Sequence, residues 1–236
     1  MNFEQTRKIL DVLLKNKITP NLEGKHGIGK TEFIRQYAKE NGYEIIEFRM
    51  GMCSDAGDLV GIPSIKQVEI NGASDLSTVF ATPDFFPRSG KYILFFDEWN
   101  RCQVKELYQA VFNLMLEGKM NQYSLPPESR LVLASNPGGT DMYDVFEFSD
   151  SAFHDRACKL VITPSAQEYL KHNKLKHSKS SILRFLEGYP DLIWANLDKA
   201  DDKNPDYSGR TWTRLMEVES TNPDTSVLET IMMSMV

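Results

Sequence analysis

Residues 24 to 31 read Gly24-Lys25-His26-Gly27-Ile28-Gly29-Lys30-Thr31, which satisfies GxxxxGK[ST], the pattern of a phosphate-binding loop. Such a loop belongs between a strand and a helix, and the flanking sequence supplies both. Upstream, residues 18 to 23 (ITPNLE) suit a short strand, weakened by Pro20 near its start. Downstream, Glu32 to Glu40 suits a helix that stops at Asn41-Gly42. In this setting the glycines let backbone N–H groups turn onto phosphate oxygens, and the helix N-terminus adds positive potential. Lys30 is expected to reach the β and γ phosphates of ATP and Thr31 to ligate Mg2+. The candidate nucleotide-binding segment therefore runs from Gly24 to Glu32.

The same alternation continues outward. Apolar residues from Phe3 to Leu14 recur near helical spacing, so residues 3 to 16 form an amphipathic helix. YEIIEF (43–48) gives a second strand, and YILFF (92–96), a continuous apolar run, a third strand buried on both faces. Between them, Asn71-Gly72 separates IKQVEI from ASDLSTVF, a strong hairpin signal. Residues 101 to 117 suit a helix whose apolar side carries Val104, Leu107, Tyr108, Val111, Phe112, Leu114 and Met115, and Gly118 ends it. Leu131 to Ala134 is a fourth strand and Leu160 to Ile162 a fifth, stopped before Pro164. Beyond that point only helical patterns occur, at 165–173, 180–188, 211–219 and 224–235. The expected architecture is α/β, an αβα sandwich on a five-stranded, mainly parallel sheet over residues 1–164, followed by a small all-helical lid domain over 165–236.

Composition sets limits. With 41% hydrophobic and 25% charged residues the chain has enough apolar matter for a real core, which excludes disorder as its main state. A net charge of -6 gives no global basic field for holding nucleic acid. Cys53, Cys102 and Cys158 are odd in number and widely spaced, which suggests neither a disulfide framework nor a zinc cluster and fits a reducing cytoplasm. No run approaches the ~18 apolar residues of a membrane span.

Two further signals carry chemistry. Asp97-Glu98 closes the buried third strand, at the carboxyl edge of the sheet where ligands of such folds bind. Asp97 can hold Mg2+ through water, and Glu98 can orient and polarise an attacking water. Asn136 ends the fourth strand on the same edge, where its amide could hydrogen-bond that water or the γ-phosphate. An Asn-Pro turn that merely terminates a strand accounts for it equally well.

In order along the chain, GKHGIGKT (24–31), DLVGI (58–62), ILFFDEWNR (93–101), LEGKM (116–120) and LVLASNPGG (131–139) resemble the MoxR-like, dynein-related branch of AAA+ ATPases. The resemblance is dense from 24 to 164 and thin afterwards. It implies an inserted hairpin near 62–82, another near 118–130, ATP hydrolysis, and assembly into a ring, commonly a hexamer, that remodels a protein partner in chaperone-like fashion. A von Willebrand factor A domain protein is the partner type the family suggests. By the same resemblance Asn136 is similar to sensor 1, Arg156 in FHDRACKL to the arginine finger, and Arg210 in SGRTWTRL to sensor 2, with Arg214 one turn on as its rival. Arg101 is a further candidate for contact with an adjacent subunit. His26 departs from the small residue or proline often found at its loop position.

Other readings of these residues are a DNA-directed loader, a small-molecule kinase, and a module that binds ATP without turning it over. HDRAC stands in place of the Ser-Arg-Cys triplet of clamp loaders, and a kinase has no need of Glu98 beside Asp97. Lys171, Lys174, Lys176 and Lys179 form a basic stretch with no interleaved aromatic for base stacking, so a solvated face is the expectation over a nucleic-acid contact.

Overall fold

The computed structural model describes residues 1–70, 73–137, 155–195 and 208–235. Along the chain α1 (Phe3–Lys15) leads to β1 (Thr19–Glu23), α2 (Lys30–Glu40), β2 (Glu44–Arg49), a one-turn α3 (Gly57–Val60), β3 (Ile62–Ile70) and β4 (Ala73–Ala81). Then come β5 (Tyr92–Asp97), α4 (Lys105–Glu117), β6 (Lys119–Met120), β7 (Tyr123–Ser124), β8 (Arg130–Ser135) and β9 (Ala157–Val161). The described residues beyond them carry α5 (Ala166–Lys176), α6 (Ser181–Gly188), α7 (Gly209–Ser220) and α8 (Thr225–Met235). The chain divides into two compact units. One comprises Met1–Arg7, Gly24–Phe33 and Val161–Val236, the other Lys8–Glu23 and Ile34–Leu160. Among the described residues no helix is long and apolar enough to cross a membrane.

The second unit is organised by a five-stranded parallel sheet in the order β2-β5-β8-β1-β9. β5 lies inside it, paired with β2 from Glu44↔Tyr92 to Arg49↔Asp97 and with β8 from Ile93↔Arg130 to Phe96↔Leu133. Its residues Ile93 to Phe96 are buried, as an apolar run without alternation requires. Leu107, Val111 and Leu114 of α4 pack with Leu94, Phe96, Leu131 and Leu133 in the main core. Full burial of such a side chain stabilises by roughly 1.5–3 kcal/mol.

The starts of α4 and β9 differ from the sequence reading for physical reasons, and β1 forms where expected despite its polar residues. The helix expected over 101–117 starts at Lys105, because Trp99–Arg101 is a 3-10 turn and Cys102 and Val104 are extended. β1 is buried although it carries Thr19 and Asn21, and its ladder with β8 starts at Asn21↔Leu133, just past Pro20. The strand expected over 160–162 starts three residues earlier; its polar Lys159 is paired with Glu23 of β1 at 2.7 Å. β3 and β4 form an antiparallel hairpin from Ile62↔Ala81 to Ile70↔Ala73, and the Asn71-Gly72 turn lies outside the described residues. Gly61 opens this hairpin at φ 85, where a Cβ would stand 2.1 Å from the Ala81 carbonyl oxygen, so no other residue fits.

In the first unit, Ile182, Leu183, Leu186, Ile193, Trp212, Leu215 and Met216 form a separate core. Ser165, Ser180 and Ser208 cap α5, α6 and α7, each hydroxyl accepting from the N–H three residues on. Glu168 of α5 reaches α1 and accepts from the N–H groups of Phe3 and Glu4 at 3.1 and 2.9 Å. At the other end of α7, Glu219 accepts from the Ser181 N–H at 2.8 Å and from the Ser180 and Ser181 hydroxyls, placing its charge on the N-terminus of α6.

Burial acts to raise the Glu219 pKa, and the hydrogen bonds from Ser180, Ser181 and Ile182 outweigh it, so the net shift is downward from 4.5. A depressed folded-state value means that this contribution is complete above the ordinary glutamate range and is lost as pH falls through the lower folded value. Glu219→Gln should flatten that acid limb of the stability curve and, with solvent screening part of the charge, cost about 1 kcal/mol at neutral pH. Chemical denaturation between pH 3 and 7 checks this; parallel curves for the two proteins would contradict it.

Candidate nucleotide-binding site

The first unit holds the glycine loop. Gly27 and Gly29 sit at φ 70 and 103, a region that other residues enter only with strain. Space is as restrictive as conformation: a Cβ on Gly27 would fall 2.7 Å from the Ser208 Cβ, and one on Gly24 would fall 2.6 Å from the Ile28 Cδ1. Ile28 is buried beneath the loop. Lys30, the first residue of α2, is only 7% exposed, and its ammonium donates to the carbonyls of Gly24 and Lys25. The charge is thereby folded over the loop. Lys25, His26 and Thr31 are half-buried, whereas Glu32 points outward and pairs with Lys176 at 3.3 Å.

The N-terminus of α7 stands over this loop. Ser208 is its cap, and the Gly27 carbonyl oxygen lies 3.5 Å from where a Gly209 Cβ would be. The Tyr169 hydroxyl anchors the same turn by donating to the Gly209 carbonyl at 2.9 Å. Arg210 follows in the first turn, exposed, and Arg214 is exposed one turn further along. In the basic stretch Lys174 pairs with Glu187 and Lys176 with Glu32. Burial, and then the charge of Lys176, hold His172 below its usual pKa, so it is neutral at pH 7.

The second unit holds the acids. Asp97 is the last residue of β5, and Glu98 follows in the left-handed conformation at φ 50 and ψ 34, which costs a non-glycine residue roughly 1 kcal/mol. The Glu98 N–H donates to Asp97 Oδ1 at 2.9 Å, and the Arg101 N–H donates to the Glu98 carbonyl at 2.9 Å. Arg101 also meets Glu98 Oε1 at 3.4 Å, but with side chains 44% and 40% exposed this pair contributes little.

Between the acids and Arg101 the chain turns inward. The Trp99 indole lies edge-on to Tyr108 and Phe112, and its N–H donates to Asn21 Oδ1 of β1 at 3.2 Å. Asn100 donates from Nδ2 to the Asn136 carbonyl at 2.9 Å and accepts from the Asn136 N–H at 3.1 Å. Asn136 is thus clamped beyond the end of β8. Arg156, just before β9, is half-buried with its guanidinium 5.5 Å from the centre of the Phe112 ring. Gly138 and Gly139 of the NPGG turn lie outside the described residues.

Of the expected residues, then, Gly24 to Thr31 share one loop with Arg210 nearby, and Asp97, Glu98, Asn136 and Arg156 belong to the other unit. The sequence reading missed Asn21, Trp99, Asn100 and Ser208. Asn21 could have been noticed, since an amide in a buried strand must find a partner. Asn100 stood inside the DEWNR motif without an assigned task.

The glycine cradle, which any Cβ would obstruct, and the buried ammonium suit a polyphosphate. Within the first unit, the Thr31 hydroxyl beside this loop is a hard oxygen donor of the kind Mg2+ takes together with a substrate's phosphates. Among the described residues, no group of three or more His, Cys, Asp and Glu side chains could hold a metal by itself.

No protein-family model and no curated protein matches the chain. Solved structures do. A point mutant of RuvB from Thermotoga maritima superimposes with a TM-score of 0.55 at 16% identity, covering 99% of this chain and 70% of that one. A candidate ATPase from Cytophaga hutchinsonii gives 0.52 at 15% identity, covering 75% of this chain and 51% of that one. RuvB from the same Thermotoga, described as a Holliday junction branch migration motor, gives 0.50 at 13% identity over 98% of this chain and 68% of that one. At such identities the likeness is one of fold. The chain has the fold of the AAA+ ATPases.

Proposed function

We propose that this chain is a Mg2+-dependent ATPase of the MoxR-like AAA+ type, working as a ring that remodels a protein partner. The observation that carries the reading is the loop Gly24–Thr31, whose positive-φ glycines and folded-in Lys30 ammonium suit a bound polyphosphate. Lys30 and the loop N–H groups bind the ATP phosphates. Thr31 and Asp97 would hold Mg2+, which would supply positive charge to the phosphates. Glu98 accepts a proton from the attacking water and Asn136 orients that water. Arg156 serves the ATP of a neighbouring subunit, and Arg210, nearer the loop than Arg214, senses the nucleotide from α7. A DNA-directed motor is the second reading, favoured by the likeness to a branch migration motor. The net charge of -6 and the engagement of Lys174 and Lys176 by acidic partners weigh against it.

Lys30→Ala removes a charge-assisted phosphate contact and should abolish ATP binding. Glu98→Gln keeps the shape but cannot accept a proton, so it should bind ATP at wild-type affinity and hydrolyse it poorly. Calorimetry with Mg-ATP beside a phosphate-release assay separates the two. Unchanged affinity in the lysine variant, or wild-type turnover in the glutamine variant, would overturn the assignment.

A finger arginine contributes on the order of 10³–10⁵ in rate in related phosphoryl transfers. Arg156→Ala should therefore bind ATP and lose most hydrolysis. Mixed with Glu98→Gln under conditions that allow subunit exchange, it should regain partial activity, because some interfaces then join an intact Glu98 to an intact Arg156. With exchange verified by fluorescence transfer, no recovery at any mixing ratio would remove Arg156 from the shared site and make Arg101 the next residue to test.

A further inference from the structure

The turn that carries the acids also sets the position of Asn136. The β5–β8 ladder ends at Phe96↔Leu133, and Asn136 lies three residues beyond that last pair. There the side-chain amide of Asn100 supplies the pair of bonds that a neighbouring strand would make. Its Nδ2 donates to the Asn136 carbonyl at 2.9 Å, and its Oδ1 accepts from the Asn136 N–H at 3.1 Å. Both residues are almost wholly buried, at 6% and 2% exposure, so water does not substitute for either bond.

At neutral pH a primary amide does both jobs where its charged isostere cannot. A carboxylate keeps the acceptor but sets a negative oxygen against the Asn136 carbonyl, and a leucine of similar size does neither. Glu98 is two residues from Asn100 in the same turn, and Trp99, between them, is tied to Asn21 of β1. The rigid turn therefore gives Glu98 and Asn136 one common support, so that the two groups meant for the attacking water cannot drift apart.

We infer that Asn100 is a positioning residue, which acts on hydrolysis by holding Asn136 in register with Glu98. The inference builds on the ATPase reading and assigns Asn100 no contact with ATP.

The test uses Asn100→Asp and Asn100→Leu in the full chain. Misplacement by about 1 Å can cost on the order of 10²-fold in rate, so at pH 8 the aspartate variant should bind ATP like wild type while its kcat falls by about that factor. As pH is lowered, the carboxyl takes up a proton, donates again to the Asn136 carbonyl, and the ratio of variant to wild-type kcat should climb. In an Asn136→Ala background, Asn100→Asp should cost little more, because its route of action is already gone. A pH-independent ratio, wild-type kcat at pH 8, or fully additive losses would overturn the proposal.

Amide hydrogen exchange gives an arm independent of activity. Asn100→Leu should release the Asn136 N–H to fast exchange while Leu133 in β8 stays protected. Retained protection at Asn136, or equal loss along the whole strand, would show that Asn100 does not position it. If the wild-type chain releases no phosphate, the ATPase reading fails, and this arm still decides whether Asn100 holds Asn136.

Discussion

A polar side chain buried in a parallel sheet must be matched or it destabilises the core by the full cost of its desolvation, about 1–3 kcal/mol. In this chain the matching is done across strands. Asn21 on β1 takes the indole proton of Trp99, and Asn100 takes both backbone groups of Asn136 past the end of β8. Trp99 and Asn100 are consecutive, so a single turn after β5 is bonded both to β1 and to the segment that leaves β8. Neither partner could be lost without leaving a poorly matched amide in the core. That turn is also where Glu98 sits in its left-handed conformation, and the surrounding bonds keep a strained residue in place.

The glycine loop obeys a different constraint, that of space. Gly24 and Gly27 are closed in by Ile28 and Ser208, and Lys30 bends back over the loop's own carbonyls. The side chains that close it in come from the C-terminal helices as well as from the loop. Tyr169 anchors the first turn of α7, Ser208 caps it, and Gly209 admits the Tyr169 ring, which would stand 2.9 Å from a Cβ there. A nucleotide bound in such a loop would meet the N-terminus of α7 directly, which gives Arg210 a stronger physical case than Arg214.

Much of this was legible in the sequence. GKHGIGKT implied a strand-loop-helix unit, and the YILFF run fitted a strand with both faces covered. What stayed hidden was polar. The burial of Asn21 in β1 was hidden because its partner lies far along the chain, Trp99 being 78 residues from it. Lys159 concealed the start of β9 because its charge is answered by Glu23. The start of α4 was misplaced because the positive φ of Glu98 and the extended Val104 interrupt a helical apolar pattern without changing it. Pattern reading registers burial and period; it has no access to a hydrogen bond between residues brought together only by the fold.

On the proposed reading, the loop, Asp97, Glu98 and Asn136 serve the attack of water on the γ-phosphate of ATP. Turnover of ATP by the unmodified protein in ¹⁸O-labelled water with Mg2+ tests it most directly. The account predicts inorganic phosphate carrying one solvent oxygen for each ATP consumed, with ADP as the other product. Intact ATP after long incubation, or a phosphoryl group recovered on a small-molecule acceptor without solvent oxygen, would contradict it.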